Sequence, residues 1–451
     1  MTDKAQRIHL LADEKISKAL LKLGIPTMIG MLVSAFYNIV DAFFVGQLGT
    51  LQTAAVSIIY PLTMVGTGLG LLFGNGAGSY ISRLLGRKAY DQVAVVASTT
   101  IFTGLGTIVF VAAGLLLCFD PLVNALGATA LTMPYVREYG LIFIAGLILN
   151  VFNVLVNNLL IAEGATAFSM AAMLLGGLSN IFLDPLLIFG CQLGVGGAAI
   201  ATLLARLIST ALYLFYLLNG KNYITLSLHD FRPSRTLYGE IFKIGLPICV
   251  FQLLTGLSVG LTNFMARPFG EAAIAAMGIV NRIMTLESNA LYGFLKGYTP
   301  LVGYNYGAGN AARIQQSTKT ALLWSTSANI LFGLLCLIFA RPLIHLFNHQ
   351  SAQVLEIGRW ALSIDGLSFM LLGIQIVIGN YFLAIGKAKQ GGMLSLSRQG
   401  FFFIPFLLIF TSAWGLFGLI LAQPAADLCA TLLTLKLWQQ ERRYLASPQK
   451  A

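Results

Sequence analysis

The chain has 451 residues, 57% of them hydrophobic and only 10% charged, with a formal net charge of +11. That balance excludes an ordinary soluble domain, in which about a quarter of the residues are charged. The basic residues are scattered over short polar stretches between long apolar runs rather than gathered into a patch or arm, which argues against nucleic acid as the partner.

Residues 1–18 lack the apolar core of a cleavable signal peptide, so the first spanning helix is expected to act as its own targeting signal. Over residues 13–23, Ile16, Leu20 and Leu23 interleave with Lys15, Lys18 and Lys22 in the manner of a short interfacial helix. Twelve apolar runs follow, each near the roughly 20 residues that a bilayer core requires. Six are predicted near residues 22–46, 53–80, 92–117, 135–162, 168–190 and 196–218, and six more near 241–266, 274–301, 316–339, 360–385, 393–412 and 415–437. With the N-terminus inside, the inner segments hold 21 Lys and Arg, among them Arg7, Arg83, Arg87, Lys88, Lys221, Lys387 and Arg442, whereas the outer loops hold four, Arg137, Arg267, Arg341 and Arg359. The positive-inside rule therefore predicts a multi-pass protein of the plasma (inner) membrane with both termini cytoplasmic.

A shift of 221 residues pairs Lys22 with Lys243, Gly24 with Gly245, Pro26 with Pro247, Gly86 with Gly307, Pro121 with Pro342, Gly194 with Gly415 and Gly197 with Gly418. Asn158 meets Asn380, Gly164 meets Gly386 and Pro185 meets Pro405 within one residue of that shift. Matched prolines in a chain with 13 of them are a repeat signal. Six is even, so each copy returns to its starting side and both copies share one orientation, a known transporter architecture. The predicted fold is an all-α membrane protein of twelve transmembrane helices in two parallel-repeat six-helix lobes. Residues 1–218 form the first lobe, 219–240 a cytoplasmic linker, 241–437 the second lobe and 438–451 a cytoplasmic tail.

An ionised Asp in the middle of a membrane helix costs about 2.5–3.5 kcal/mol on insertion scales, so each charged residue in a span needs a reason. The acids in spans are Asp41, Asp184, Glu287, Asp365 and Asp427, and the bases are Arg206, Arg282 and Lys296. Asp41 shares a helix face with Tyr37 and Ser34, and Asp184 shares one with Asn180, Gly177 and Met173. The fourth span carries Asn150, Asn153 and Asn157 at helical spacing, and the sixth carries Thr202. All belong to the first half, so two carboxylates, several amides and a hydroxyl are expected to converge on one polar chamber. Two close carboxylates repel, and one of them then accepts a proton more readily. The same oxygens also suit a small hard cation. Either occupant competes with a positively charged guest, which is sufficient for antiport. The competing reading is that Asp41 or Asp184 pairs with Arg206 and ties helices together, and the asparagines are equally read as interhelical hydrogen-bond glue.

Glu287 with Arg282 reads as structural pairing, Asp365 and Asp427 as candidates for a second site, and Glu163, closing the fourth span, as interfacial. Pro26 lies inside the first span and opens its hydrogen-bond ladder, giving either a kink coupled to site occupancy or a static bend. The five cysteines stand singly, without metal-ligand spacing, and are expected to form no disulfide framework. No phosphate loop or paired-histidine motif is present, so an ion gradient rather than ATP is the expected drive, with no cofactor and no enzymatic role.

At this point the chain resembles the multidrug and toxic compound extrusion (MATE) family. The resemblance rests on the two six-helix halves, the Gly-Ile-Pro of 24–26 matched by Gly-Leu-Pro of 245–247, Asp41 late in the first helix, the Ser-Asn-Ile-Phe-Leu-Asp-Pro ending at Pro185, and the Gly-Val-Gly-Gly-Ala-Ala-Ile-Ala-Thr of 194–202. It covers nearly the whole chain. It implies two lobes in a V, export of small lipophilic organic cations, and coupling to Na⁺ or H⁺ through lobe one; the working unit is expected to be a monomer. Asp41, Asn180, Asp184 and Thr202 match the family's lobe-one cation site, and Tyr37, Asn153 and Asn157 its surrounding chamber. Members with a second acidic site carry acids where this chain has Thr255 and Leu372, so the resemblance implies the subgroup whose coupling acids lie in lobe one. A lipid-linked precursor flippase is the alternative, and it would need a cationic cavity. A membrane transferase lacks its nucleophile or metal constellation here, and a channel accords less well with the repeat and the paired acids.

Overall fold

A computed structural model describes residues 3–220, 222–347 and 351–446, leaving Lys221 and 447–451 of the expected tail outside the described residues. In chain order the helices are α1 (Asp3–Ala12), α2 (Ile16–Leu48), α3 (Thr50–Gly86), α4 (Tyr90–Leu117), α5 (Phe119–Ala125), α6 (Met133–Ala162), α7 (Thr166–Pro185), α8 (Gly194–Leu218), α9 (Arg235–Ala266), α10 (Glu271–Gly307), α11 (Ala311–Ile338), α12 (Ala340–Phe347), α13 (Ala352–Phe369), α14 (Leu372–Ala384), α15 (Ala388–Leu396) and α16 (Ile404–Ala446). A lipid interior leaves backbone groups no water partner, so a chain this apolar satisfies them within helices.

Nine of the described helical segments are long and apolar enough to cross a membrane, and α13 with α14, bent by 46°, make a tenth. The eleventh is α10, whose Arg282, Glu287 and Lys296 dilute its apolar character. The twelfth arises because α16 breaks at Gly415, where φ is 61° and ψ is −137°. Twelve spans result. Lobe one comprises α2, α3, α4, α6, α7 and α8, and lobe two the spans from α9 onward.

The repeat is written into the backbone. Left-handed φ values recur at equivalent places: Gly49 (127°) and Gly270 (89°), Gly164 (86°) and Gly386 (82°), Gly194 (53°) and Gly415 (61°). Even Lys88 (60°) has its counterpart in Gly309 (72°).

The lobes meet through reciprocal glycine contacts. A Cβ added to Gly86 would lie 1.9 Å from the Tyr304 carbonyl oxygen, and one added to Gly307 would lie 2.0 Å from that of Arg83. Gly297 packs on Gly24 while its repeat mate Gly76 packs on Ile241, each leaving an added Cβ 2.4 Å from main-chain atoms. A hydrogen bond from Ser79 Oγ to the Leu383 carbonyl (2.6 Å) and the Arg83–Glu240 pair (2.9 Å) reinforce this seam. The approaches run from Gly86 up to Met64 and Gly256 between α3 and α9, and to Met28 and Gly293 between α2 and α10. Asp41 lies thirteen residues beyond Met28, about 20 Å further along α2. The joined end, which carries Arg83, Lys387 and both described termini, is here termed the basic end, and the opposite end the far end.

Two expectations are corrected. Residues 16–23 are not a separate interfacial helix but the first turns of α2, because Ile16, Leu20 and Leu23 are buried in the core. The distinct amphipathic helix is α1, upstream. Glu163 is not interfacial either: it is fully buried, bonded by Arg7 of α1 and by Tyr216 of α8, and it accepts the Ile224 N–H at 3.0 Å. A carboxylate can be buried when this many donors replace water. From lobe two, Asn305 Nδ2 donates to the Leu11 carbonyl (3.0 Å) and Arg313 Nη2 to that of Glu14 (2.6 Å), so α1 is attached to both lobes. The Lys22 ammonium, bonded to Glu14 at 3.0 Å, holds that carboxyl below the usual carboxylate range.

Candidate ion and substrate site

Small residues let α2 and α7 approach closely. Gly177 faces Tyr37, with 3.1 Å from an added Cβ to Cδ1, and Gly30 faces the Met173 sulfur at 3.0 Å. Asp41, toward the far end of α2, therefore meets Asp184, near the end of α7, closely enough for each carboxyl group to act on the other. Asn180, one turn before Asp184, donates Nδ2 to Asp184 Oδ1 at 3.1 Å. Beyond that bond, Asp41 Oδ1, Asp184 Oδ2 and Asn180 Oδ1 are all buried and none receives a hydrogen bond.

Such a site is rich in acceptors and poor in donors. Buried oxygens without donors cost free energy that a proton or a cation removes. Among the described residues no trio of His, Cys, Asp and Glu is placed to hold a metal ion. The mixed set of two carboxyls and an amide oxygen instead suits a proton or a weakly held monovalent ion.

Arg206 is close enough for its charge to reach Asp41, Tyr37 and Tyr139. No ion pair within 4.0 Å joins it to either aspartate among the described residues; its Nη1 donates to the Gly146 carbonyl (3.2 Å), and its guanidinium lies 5.2 Å from the Phe143 ring centroid. The base is thus held back from the acids by α6.

The remaining expected site residues divide. Tyr37 stands beside Asp41. Thr202 is half-buried on α8, one turn before Arg206, and makes no hydrogen bond to either aspartate. The amide of Asn153 donates to the Arg206 carbonyl (2.9 Å) and accepts from Thr210 (2.8 Å). Asn157 accepts from Ser169 and from Tyr213 (3.2 Å). Asn153 spends both polar atoms of its amide, and Asn157 its amide oxygen, inside the helix bundle. Asn150 differs, since its Nδ2 is buried with no acceptor.

Pro26 leaves the Lys22 carbonyl without its usual helical donor. Thr166, the first residue of α7, supplies one from its hydroxyl at 3.2 Å, while α2 continues unbroken through the proline. The helix that carries Asp41 is thereby tied at its opened turn to the helix that carries Asp184.

One residue escaped the sequence reading. Arg398 falls inside the run expected at 393–412 but is not among the span bases singled out there; it lies in a stretch of wide π-type turns, Ser397–Phe403, and its Nε is bonded to the fully buried Asp427 at 2.7 Å. Arg282, in contrast, is exposed and is not the partner of Glu287.

Comparison with known proteins places this geometry. The MatE family model matches the chain twice, over residues 26–186 and 247–409. The chain is 30% identical to the multidrug export protein MepA of Staphylococcus saprophyticus over 442 residues, covering 96% of this chain and 97% of that protein. It is 31% identical to the MepA of Staphylococcus aureus (strain MRSA252) over 436 residues, covering 95% and 94%. A solved structure described as the outward-facing conformation of a multidrug resistance MATE family transporter of the MOP superfamily superposes with a TM-score of 0.91 at 28% identity, covering 98% of each chain.

Proposed function

From the premise that the chain belongs to the MATE family, we propose that it is a secondary multidrug efflux antiporter, exporting lipophilic organic cations in exchange for Na⁺ or H⁺. The observation that carries this reading is the set of three buried oxygens without donors, Asp41 Oδ1, Asn180 Oδ1 and Asp184 Oδ2. An organic cation and a coupling ion satisfy the same negative oxygens, and each excludes the other. Binding of the ion from the far side discharges the guest, and loss of the ion on the basic side readies the site for the next one.

In this reading residues 1–218 form the lobe that carries the site, 219–240 the linker, 241–437 the second lobe and 438–451 a tail. The basic end is cytoplasmic, the membrane is the plasma membrane, and the working unit is a monomer. Tyr37 borders the guest, Thr202 serves as an outlying ligand, and Asn153 and Asn157 hold α6 and α8 in register around the chamber. The Thr166 bond to the turn opened by Pro26 couples α2 to α7. A flippase for an anionic lipid precursor would need unspent bases around the site, whereas Arg206 is turned toward Gly146 and Phe143.

The test is efflux of a fluorescent organic cation from proteoliposomes under an imposed Na⁺ or pH gradient. Asp41→Asn and Asp184→Asn are expected to insert and fold, and to lose gradient-driven efflux. Normal driven transport in both would overturn the site.

A further inference from the structure

Lobe two holds a second buried polar cluster that the reading above leaves unused. Asp427 is its fixed centre: Oδ1 accepts from Arg398 Nε (2.7 Å) and Gln423 Nε2 (2.9 Å), and Oδ2 accepts from Ser368 Oγ (3.1 Å). Gln375 Nε2 donates to the main-chain oxygen of Asp427 at 2.7 Å. Asp427 is saturated, and Arg398 is committed to it.

Asp365 sits one turn before Ser368 on α13, only 8% exposed, and its Oδ1 is buried with no hydrogen bond. Glu287 on α10 presents a buried Oε2 in the same condition. Cys336 of α11 packs against Gly366, the residue after Asp365, with its Cβ 2.9 Å from a Cβ added there. Two turns before Cys336, on the same face of α11, Asn329 is fully buried, and its Oδ1 also lacks a donor. The titratable groups that face Asp365 are therefore Asp427 and Arg398, with Glu287 and Tyr292 of α10 and Cys336 of α11 around them.

Three acids share one arginine, and that arginine neutralises Asp427. The missing element is a hydrogen rather than another anion. Among the described residues no trio of His, Cys, Asp and Glu is arranged for a metal ion. A second organic cation would have to enter the space beside the tethered guanidinium, which repels it. A proton fits: a carboxylate that takes H⁺ from hydronium becomes a carboxylic acid and leaves water, and the O–H then donates to a buried oxygen that has no donor.

We propose that Asp365 is the seat of a second exchangeable proton, carried in lobe two against the fixed charge of the Arg398–Asp427 pair. The acids of the family's own lobe-two pattern are absent, with Thr255 and Leu372 in their places, so this site is built from other positions. The proposal rests on the antiport reading and adds to it: each cycle moves more than the charge exchanged at Asp41 and Asp184.

The experiment measures protons released when tetraphenylphosphonium binds the full-length, detergent-purified protein in weakly buffered solution. Asp365→Asn is expected to release about half as many protons per ligand as the wild type. Asp41→Asn retains the other half, and the double variant releases none. Wild-type release from Asp365→Asn would overturn the lobe-two proposal alone. No release from the wild type at any Na⁺ concentration would overturn it together with proton coupling in lobe one. If Asp365→Asn does not fold, infrared difference spectra of wild type and Asp365→Glu decide: a protonated-carboxyl band that the ligand removes must differ in position between the two, and an identical band overturns the proposal.

Discussion

Arg206 and Asp427 occupy equivalent positions in the two halves of the chain, 221 residues apart on the sixth and twelfth spans. One lobe places a base where the other places an acid. In lobe one the base is held off two acids; in lobe two the acid is bonded to a base, Arg398, on the preceding span. The repeat has kept the helices and reversed the charge.

That inversion predicts unequal responses to removing the two arginines. Arg398→Met leaves Asp427 buried without its counter-charge and is expected to lower stability by about 3–5 kcal/mol. Arg206→Met removes a bond to the Gly146 carbonyl and a ring contact, for a loss of about 1–2 kcal/mol. Thermal unfolding in detergent compares them. Equal losses would contradict the difference in pairing.

Thr166 and Pro26 form a testable couple. Thr166→Val strips the donor from the Lys22 carbonyl and is expected to destabilise by about 1–2 kcal/mol. In a Pro26→Ala background α2 supplies its own N–H to that carbonyl, and the same change is expected to cost little. The double-mutant cycle measures the coupling, and additive effects would show that Thr166 does not support the opened turn.

The glycine seam predicts a wedge effect. Gly86→Ala or Gly307→Ala puts a methyl group against a main-chain oxygen of the opposite lobe, at 1.9 or 2.0 Å without adjustment. Neither backbone yields cheaply, so the closed basic end is disfavoured, and each 1.4 kcal/mol of strain changes the population ratio about tenfold. Spin-label distances across the seam are expected to lengthen in both variants, with a matching fall in efflux. Unchanged distances would refute the wedge.

Asn180 distinguishes the two candidate coupling ions. Asn180→Leu removes an amide oxygen that a metal ion needs as a ligand and a proton does not. Under a Na⁺ gradient, efflux is expected to fall at least roughly tenfold, the consequence of about 1.4 kcal/mol of lost ion binding. Under a pH gradient it is expected to change far less. Parallel measurements in proteoliposomes separate the two cases.

The sequence makes the spans, their repeat and the acids of the candidate site readable, because a bilayer imposes length and hydrophobicity one helix at a time. Matched Pro26 and Pro247, and Gly194 with Gly415, survive as backbone requirements. Asp41, Asn180 and Asp184 stand out as polar groups in apolar runs. Long-range pairings are not readable in this way. Nothing near Glu163 announces that Arg7, at the other end of the lobe's sequence, will cover it, and nothing near Arg398 announces that its partner is Asp427 on the next span. Asn153 and Asn157 have the spacing of a lining and the bonding of an internal brace, and only neighbouring helices decide between the two.

The leader helix α1 has its own consequence. Arg7 fastens it to lobe one through a buried ion pair, whereas among the described residues the hydrogen bonds from lobe two reach main-chain oxygens, those of Leu11 and Glu14. When the lobes part at this end, one fastening must come undone, and the weaker is on the lobe-two side. The leader then rides with the half that carries Asp41, a latch that resists opening yet keeps hold of its own doorpost, ready to snap back when the two halves meet again.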